Sequence, residues 1–255
     1  MVIILIWIIL FSFLGSLGAI IIAMAFIQLG KKHQEKLIPC LVSYATGTLL
    51  AAALLGMIPT AIIKSGYNLD MVLLIVLGGI LFFFILEKLV IWRHCHQIEC
   101  EVTESAAGPI IIFGDAFHNL VDGIVIAAAF LIDFTIGIAV SLSVIAHELP
   151  QEVGDIGILI DKSYTKKKAF IYNALSGSTT IPAAIIGYFV LDQISLAIPY
   201  VLAISAASFL YIALSDLTPE LHRKVGLSFS VRQILLIFAG ILTMILIFAL
   251  KEMIQ

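Results

Sequence analysis

Polar punctuation cuts the chain into eight apolar stretches, roughly 3–28, 38–63, 70–92, 109–132, 134–160, 168–191, 195–220 and 230–250. The breaks fall at Gly30 to Lys36, Lys64 to Asn68, Arg93 to Gly108, Asp133, Asp161 to Lys167, Asp192 and Leu221 to Ser230. No stretch alternates apolar and polar residues with period two, and each is long enough to cross a ~30 Å hydrocarbon core as a helix. Backbone groups in lipid must be satisfied within their own segment, which again selects helices. The pattern predicts an all-α polytopic membrane protein with eight transmembrane helices in a single domain, residues 1–255. Short loops make neighbouring helices antiparallel, and the fourth and fifth meet almost directly at Asp133. The first run carries Ala23-Met24-Ala25, a possible signal-cleavage pattern. It lacks a basic start and is longer than a signal core, so a retained helix is expected.

A weak internal repeat overlies this pattern. Leu41, Ala45, Leu49 and Ala52 match Leu202, Ala206, Leu210 and Ala213, and each segment ends near a proline, Pro59 or Pro219, with a one-residue slip. The two segments cross the membrane in opposite directions. That arrangement suits an inverted repeat, with helices 1–3 and 6–8 arranged around helices 4 and 5.

Composition agrees with the pattern. Hydrophobic residues make up 62% of the chain and charged residues 12%, with a mean hydropathy of +1.16, so the lipid bilayer must be the solvent for much of the surface. A net charge of −3 provides no basic field for nucleic acid. Three cysteines, Cys40, Cys95 and Cys100, are too few for a disulfide framework.

Basic residues orient the bundle. Lys31, Lys32, Lys36, Arg93, Lys162, Lys166, Lys167, Arg223 and Lys224 lie in the loops after the first, third, fifth and seventh stretches. With Lys88, Lys168 and Arg232 at helix ends, they place 12 of the 14 basic residues on one side, leaving Lys64 and Lys251. That side is expected to be cytoplasmic, with both termini extracellular and the cell membrane as the location.

Against this apolar background, the fourth stretch holds Asp115, His118, Asn119 and Asp122, and the fifth holds His147, Glu148, Gln151, Glu152 and Asp155. A charge at mid-membrane costs about 2.5–3.5 kcal/mol on insertion scales, so these carboxylates together cost on the order of 10 kcal/mol unless something offsets them. The rise of a helix places His118 about 14 Å from the cytoplasmic end of its stretch and His147 about 18 Å from the outer end of its own, both near the midplane. His118 and Asp122, His147 and Gln151, and Glu148 and Glu152 are i,i+4 pairs, each sharing a helix face. Pro150 is expected to bend the fifth helix and free the carbonyl of Ala146. Gly154 and Gly157 are expected to admit a close neighbour. Imidazole, carboxylate and amide together describe a site for a divalent metal of borderline hardness. A hydrogen-bonded packing cluster and a proton relay are the alternatives.

The stretch His118-Asn119-Leu120-Val121-Asp122-Gly123, followed by His147-Glu148-Leu149-Pro150-Gln151-Glu152-Val153-Gly154-Asp155, resembles the ZIP (Zrt/Irt-like) metal transporters. Tyr211-Ile212-Ala213-Leu214-Ser215-Asp216-Leu217-Thr218-Pro219-Glu220 extends the resemblance, which covers nearly the whole chain. It looks closest to the branch with a His-Glu-x-Pro-His-Glu motif, without that branch's large extracellular domain. The resemblance implies a binuclear mid-membrane site and passage of Zn2+ into the cytoplasm by elevator or rocking motion. Fe2+, Mn2+ and Cd2+ remain open as cargo, and a homodimer remains open as an assembly. It further implies that His118, Asp122, His147 and Gln151 hold one ion, with Asn119, Asp122, Glu148 and Glu152 at the neighbouring position and carboxylates free to bridge. The chain departs from the family at Gln151, where the branch usually has His. It departs also at Gly56 and Thr60, near positions of frequent His and Glu, and its sixth stretch offers only the neutral Asn173 and Ser176.

Other features are less specific. The 93–108 loop carries His94, Cys95, His96, Cys100 and Glu101, a metal-binding candidate without zinc-finger spacing. Asp115 is a candidate for the exit path. Asp216 and Glu220 are either exit ligands or an ordinary acidic helix terminus. The strongest rival function is an intramembrane zinc-dependent hydrolase, because His147-Glu148 opens like H-E-x-x-H. It is disfavoured because Gln151 replaces the second His and Pro150 should break the helix. A metal sensor or scaffold is the remaining option.

Overall fold

A computed structural model describes residues 2–94, 104–161, 163–222 and 226–254. The described residues are almost entirely helical and form α1 (Val2–Ile27), α2 (His33–Lys64), α3 (Leu69–His94), α4 (Glu104–Ile132), α5 (Phe134–Asp161), α6 (Lys166–Gln193), α7 (Ser195–His222) and α8 (Leu227–Ile254). Seven of these are long and apolar enough to cross a membrane. By that measure of length and composition the count among the described residues is seven and not the expected eight, and the exception is α5. That helix has 28 residues, but it carries His147, Glu148, Gln151, Glu152 and Asp155, which remove it from the apolar class. Its neighbours surround it: α1, α2 and α4 all pack against α5.

The packing has the exchange symmetry that a repeat requires. Helix α8 packs on α2 as α3 packs on α7; α6 packs on α4 as α1 packs on α5; and α2 meets α5 as α7 meets α4. In α2 and α7, 61% of the most apolar stretch is buried, against 17% in α3 and 11% in α8. The first pair is therefore the spine of the bundle, and the second pair turns Leu74, Leu77, Leu81, Leu235, Phe238 and Leu246 outward.

Both spine helices widen into a π-helical turn, at Ala52–Met57 in α2 and Ile212–Leu217 in α7. Each turn ends two residues before a proline, Pro59 or Pro219. A proline ring clashes with the carbonyl four residues back and cannot donate to it, and a wide turn relieves the clash. In α7 the Thr218 hydroxyl donates to the Ala213 carbonyl at 2.7 Å, supplying one backbone oxygen there with a partner. The prolines and π turns share one register, while the Leu/Ala matches sit one residue out of it. Ala45, Leu49, Ala52, Leu202, Ala206, Leu210 and Ala213 are all buried.

Helix α5 runs on without interruption through Pro150, but the expectation about its glycines does not hold. A Cβ at Gly154 or Gly157 would meet nothing within 4 Å, so these glycines admit no close neighbour; they line a cavity of about 860 Å³ beside Ile27, Gln34, Ile38 and Lys166. The close approach occurs at Gly123 in α4, where a side chain would run into the Thr180 carbonyl and the Ala184 backbone nitrogen of α6.

Candidate metal site

Helix α5 starts directly after α4, with Asp133 as its cap: the Asp133 carboxylate accepts from Thr135 N at 2.9 Å and Ile136 N at 3.1 Å. Two long helices joined this tightly and packed together run antiparallel. His118 lies 14 residues from both Glu104 and Ile132, and His147 lies 13 from Phe134 and 14 from Asp161, so both imidazoles sit at the middle of their helices. Their rings meet edge to face at 5.4 Å, with the two Nε2 atoms 3.2 Å apart.

Four donors converge there. The His147 Nε2 lies 3.2 Å from Asp122 Oδ2 and 3.8 Å from Glu148 Oε1; the His118 Nε2 lies 3.3 Å from Glu148 Oε1 and 3.9 Å from Asp122 Oδ2. His147 Nδ1 stands 2.9 Å from the Ser143 carbonyl oxygen, which can only accept, so Nδ1 carries a proton and Nε2 is the nitrogen turned to the cluster. The ring is also braced by Phe209 of α7, edge to face at 5.8 Å. Asp122 and Glu148 are buried, and both oxygens of each lack a hydrogen-bond partner among the described residues. Two buried carboxylates this close repel one another unless positive charge, from a bound cation or from the imidazoles, lies between them. Two imidazole nitrogens and two carboxylates form a ligand set suited to zinc.

A second cluster shares Glu148. Asp115, Glu148 and Glu152 offer carboxylate oxygens that all lie within 4.8 Å of one another, as do the ligand atoms of the first cluster. Both Glu152 oxygens and Asp115 Oδ2 are likewise unpartnered among the described residues. Asp115 precedes His118 and Glu152 follows His147, and the helices are antiparallel. The second cluster is therefore displaced, by about 5–7 Å along the helix axes, towards the α3–α4 and α5–α6 connections.

Of the residues expected from sequence, the structure brings His118, Asp122, His147, Glu148 and Glu152 together. Glu148 is the shared carboxylate, rather than Asp122. Asn119 stands beside the clusters: its amide nitrogen donates to Asp115 Oδ1 at 2.9 Å, and its oxygen accepts from the Thr180 hydroxyl at 2.7 Å. It fixes Asp115 and ties α4 to the point where α6 changes from Lys166–Gly177 to Thr180–Gln193. Gln151 is half-buried, one turn beyond His147. Asp115, considered only for an exit path, belongs to the second cluster; its i,i+7 spacing to Asp122 was the available signal. At Gly56 the ring of Phe248 from α8 fills the space that a side chain would need. Cys95, His96, Cys100 and Glu101 fall outside the described residues, as does the side chain of His94.

Comparison with known proteins gives the family. A family described as ZIP Zinc transporter matches residues 93–248. The chain is 34% identical over 157 residues to zinc transporter ZIP10 of Mus musculus, covering 55% of this chain and 19% of that protein. It is 38% identical over 148 residues to zinc transporter foi of Drosophila melanogaster, covering 57% and 20%. Against zinc transporter ZIP6 of Homo sapiens it is 37% identical over 112 residues, covering 44% and 15%. The chain thus spans a fifth or less of the length of these relatives. The matched region contains α4, α5 and both carboxylate clusters, and the chain belongs to the ZIP zinc transporter family.

Proposed function

We propose that the protein carries Zn2+ across a membrane into the cytoplasm through the paired clusters of α4 and α5. The observation that carries the reading is Glu148, a buried carboxylate common to an imidazole-containing cluster and an all-carboxylate cluster. An ion held by His118, Asp122, His147 and Glu148 has a path to Asp115 and Glu152 without leaving Glu148. The change from nitrogen and oxygen ligands to oxygen alone weakens the hold on zinc along that path, which favours release. The charge distribution of the loops places the all-carboxylate cluster on the cytoplasmic side.

In this reading His147 is oriented by Ser143 to present Nε2, Asn119 and Thr180 hold Asp115 in place, and the surrounding apolar helices keep the charges out of lipid. A hydrolase is a poorer fit. H-E-x-x-H needs a second imidazole one turn on, and this chain has Gln151 there. The continuity of α5 through Pro150 removes only the objection that the helix is broken.

The test is metal uptake by purified protein in sealed proteoliposomes, with Zn2+, Fe2+, Mn2+ and Cd2+ in competition. Saturable zinc uptake, inhibited most by cadmium and least by manganese, is the expected result. Manganese as the preferred cargo would overturn the zinc assignment, and no uptake of any metal would overturn transport.

A further inference from the structure

Asn173 of α6 is fully buried, and neither its amide nitrogen nor its oxygen has a hydrogen-bond partner among the described residues. An amide in such a place costs free energy unless something uses it. Its surroundings indicate what. Gly177 is one turn further along the same face of α6; a Cβ there would press on Ile20 Cδ1 of α1 at 2.6 Å and lie 3.6 Å from Glu152 Oε1, so this face of α6 comes close to the second cluster. Ser176, also buried on this face, turns its hydroxyl back onto the Tyr172 and Asn173 carbonyls. The first half of α6 packs against both α4 and α5.

The level of Asn173 follows from the connection between α5 and α6. Asn173 lies seven residues from Lys166, and Asp155 lies six from Asp161, the two ends that this connection joins. Both are thus about 10 Å from that end, one turn beyond Glu152 and Gly177.

Resting on the transport reading above, we propose that Asn173 is a further ligand of the moving ion. Its amide oxygen takes the ion from the Asp115–Glu148–Glu152 cluster at the level of Asp155, on the way to the cytoplasm. The oxygen is neutral, so it adds a stopping point without adding a charge that would retain the cation.

Two variants test this, Asn173→Leu and Asn173→Asp, each read by zinc uptake in proteoliposomes and by thermal unfolding in detergent with and without Zn2+. A ligand role predicts that Asn173→Leu unfolds at the same or a higher temperature without metal, since an unpartnered amide has been removed. Its zinc-induced stabilisation should shrink, and its maximal uptake rate should fall at least fivefold with half-saturation little changed. Asn173→Asp keeps the volume and adds charge; it should enlarge the zinc-induced stabilisation and lower the maximal rate. Unchanged uptake and unchanged zinc response in both variants would overturn the assignment. So would a metal-free Asn173→Leu protein that unfolds earlier with an undiminished zinc response, because that marks a packing role. If the unaltered protein is stabilised by zinc but carries none into vesicles, transport fails, and the zinc response of the variants still decides whether Asn173 is a ligand.

Discussion

In the proposed site His147 faces the cluster through Nε2 because the Ser143 carbonyl engages its Nδ1, and His118 meets it because the two rings come together at the middle of α4 and α5. His118→Ala and His147→Ala should each reduce zinc uptake to a few per cent of the unaltered protein while leaving the amount reconstituted near normal. Loss of folded protein instead would make the pair a packing device. Glu148→Gln should be at least as severe, because it alters both clusters, and zinc bound per protein at saturation should drop. A variant that binds as much zinc as the unaltered chain would exclude a shared role. Most of these residues were legible in sequence, since charge and imidazole are conspicuous in an apolar run. The place of Glu148, and not Asp122, in both groups of side chains was not, because it depends on the rotation of each helix about its axis. The position of Asp115 depended on the same rotation.

Among the helices, the spans could be read because lipid requires each to satisfy its own backbone. Helix α5, despite its acidic residues, shows in the sequence as a span through its length between polar breaks. Pro59 and Pro219 gave a visible sign of the repeat, but the π turns before them depend on how a helix absorbs a proline under packing. Glycines were misread where only spacing was considered: Gly154 and Gly157 face a cavity, while Gly123 lies against α6. Gly123→Val should therefore separate α4 from α6 and lower stability by about 1–3 kcal/mol or more, with loss of uptake. Gly154→Ala should keep both folding and uptake, and a small gain in stability is expected from the alanine in a helix. Thermal unfolding of the two purified variants checks the contrast, and equal behaviour would show that the α4–α6 contact is looser than described.

For the whole molecule, the exchange of packing partners between α1–α3 and α6–α8 places the two clusters at the centre of a pseudo-symmetric bundle. The proposed direction of the bundle follows from the positive charges expected on its cytoplasmic side. A cysteine introduced at Lys166 should resist an impermeant thiol reagent applied outside intact cells and react once the membrane is opened; labelling from outside would reverse the proposed direction of transport. The central claim is that zinc crosses by way of the α4–α5 clusters. The most direct measurement is initial zinc uptake by the unaltered protein, His147→Ala and Glu148→Gln, each reconstituted at equal density in the same sealed vesicles. Saturable uptake by the unaltered protein, reduced at least tenfold in both variants, is the predicted result. Uptake by either variant at the unaltered rate would contradict the account, because zinc would then be crossing by a route that does not use that ligand.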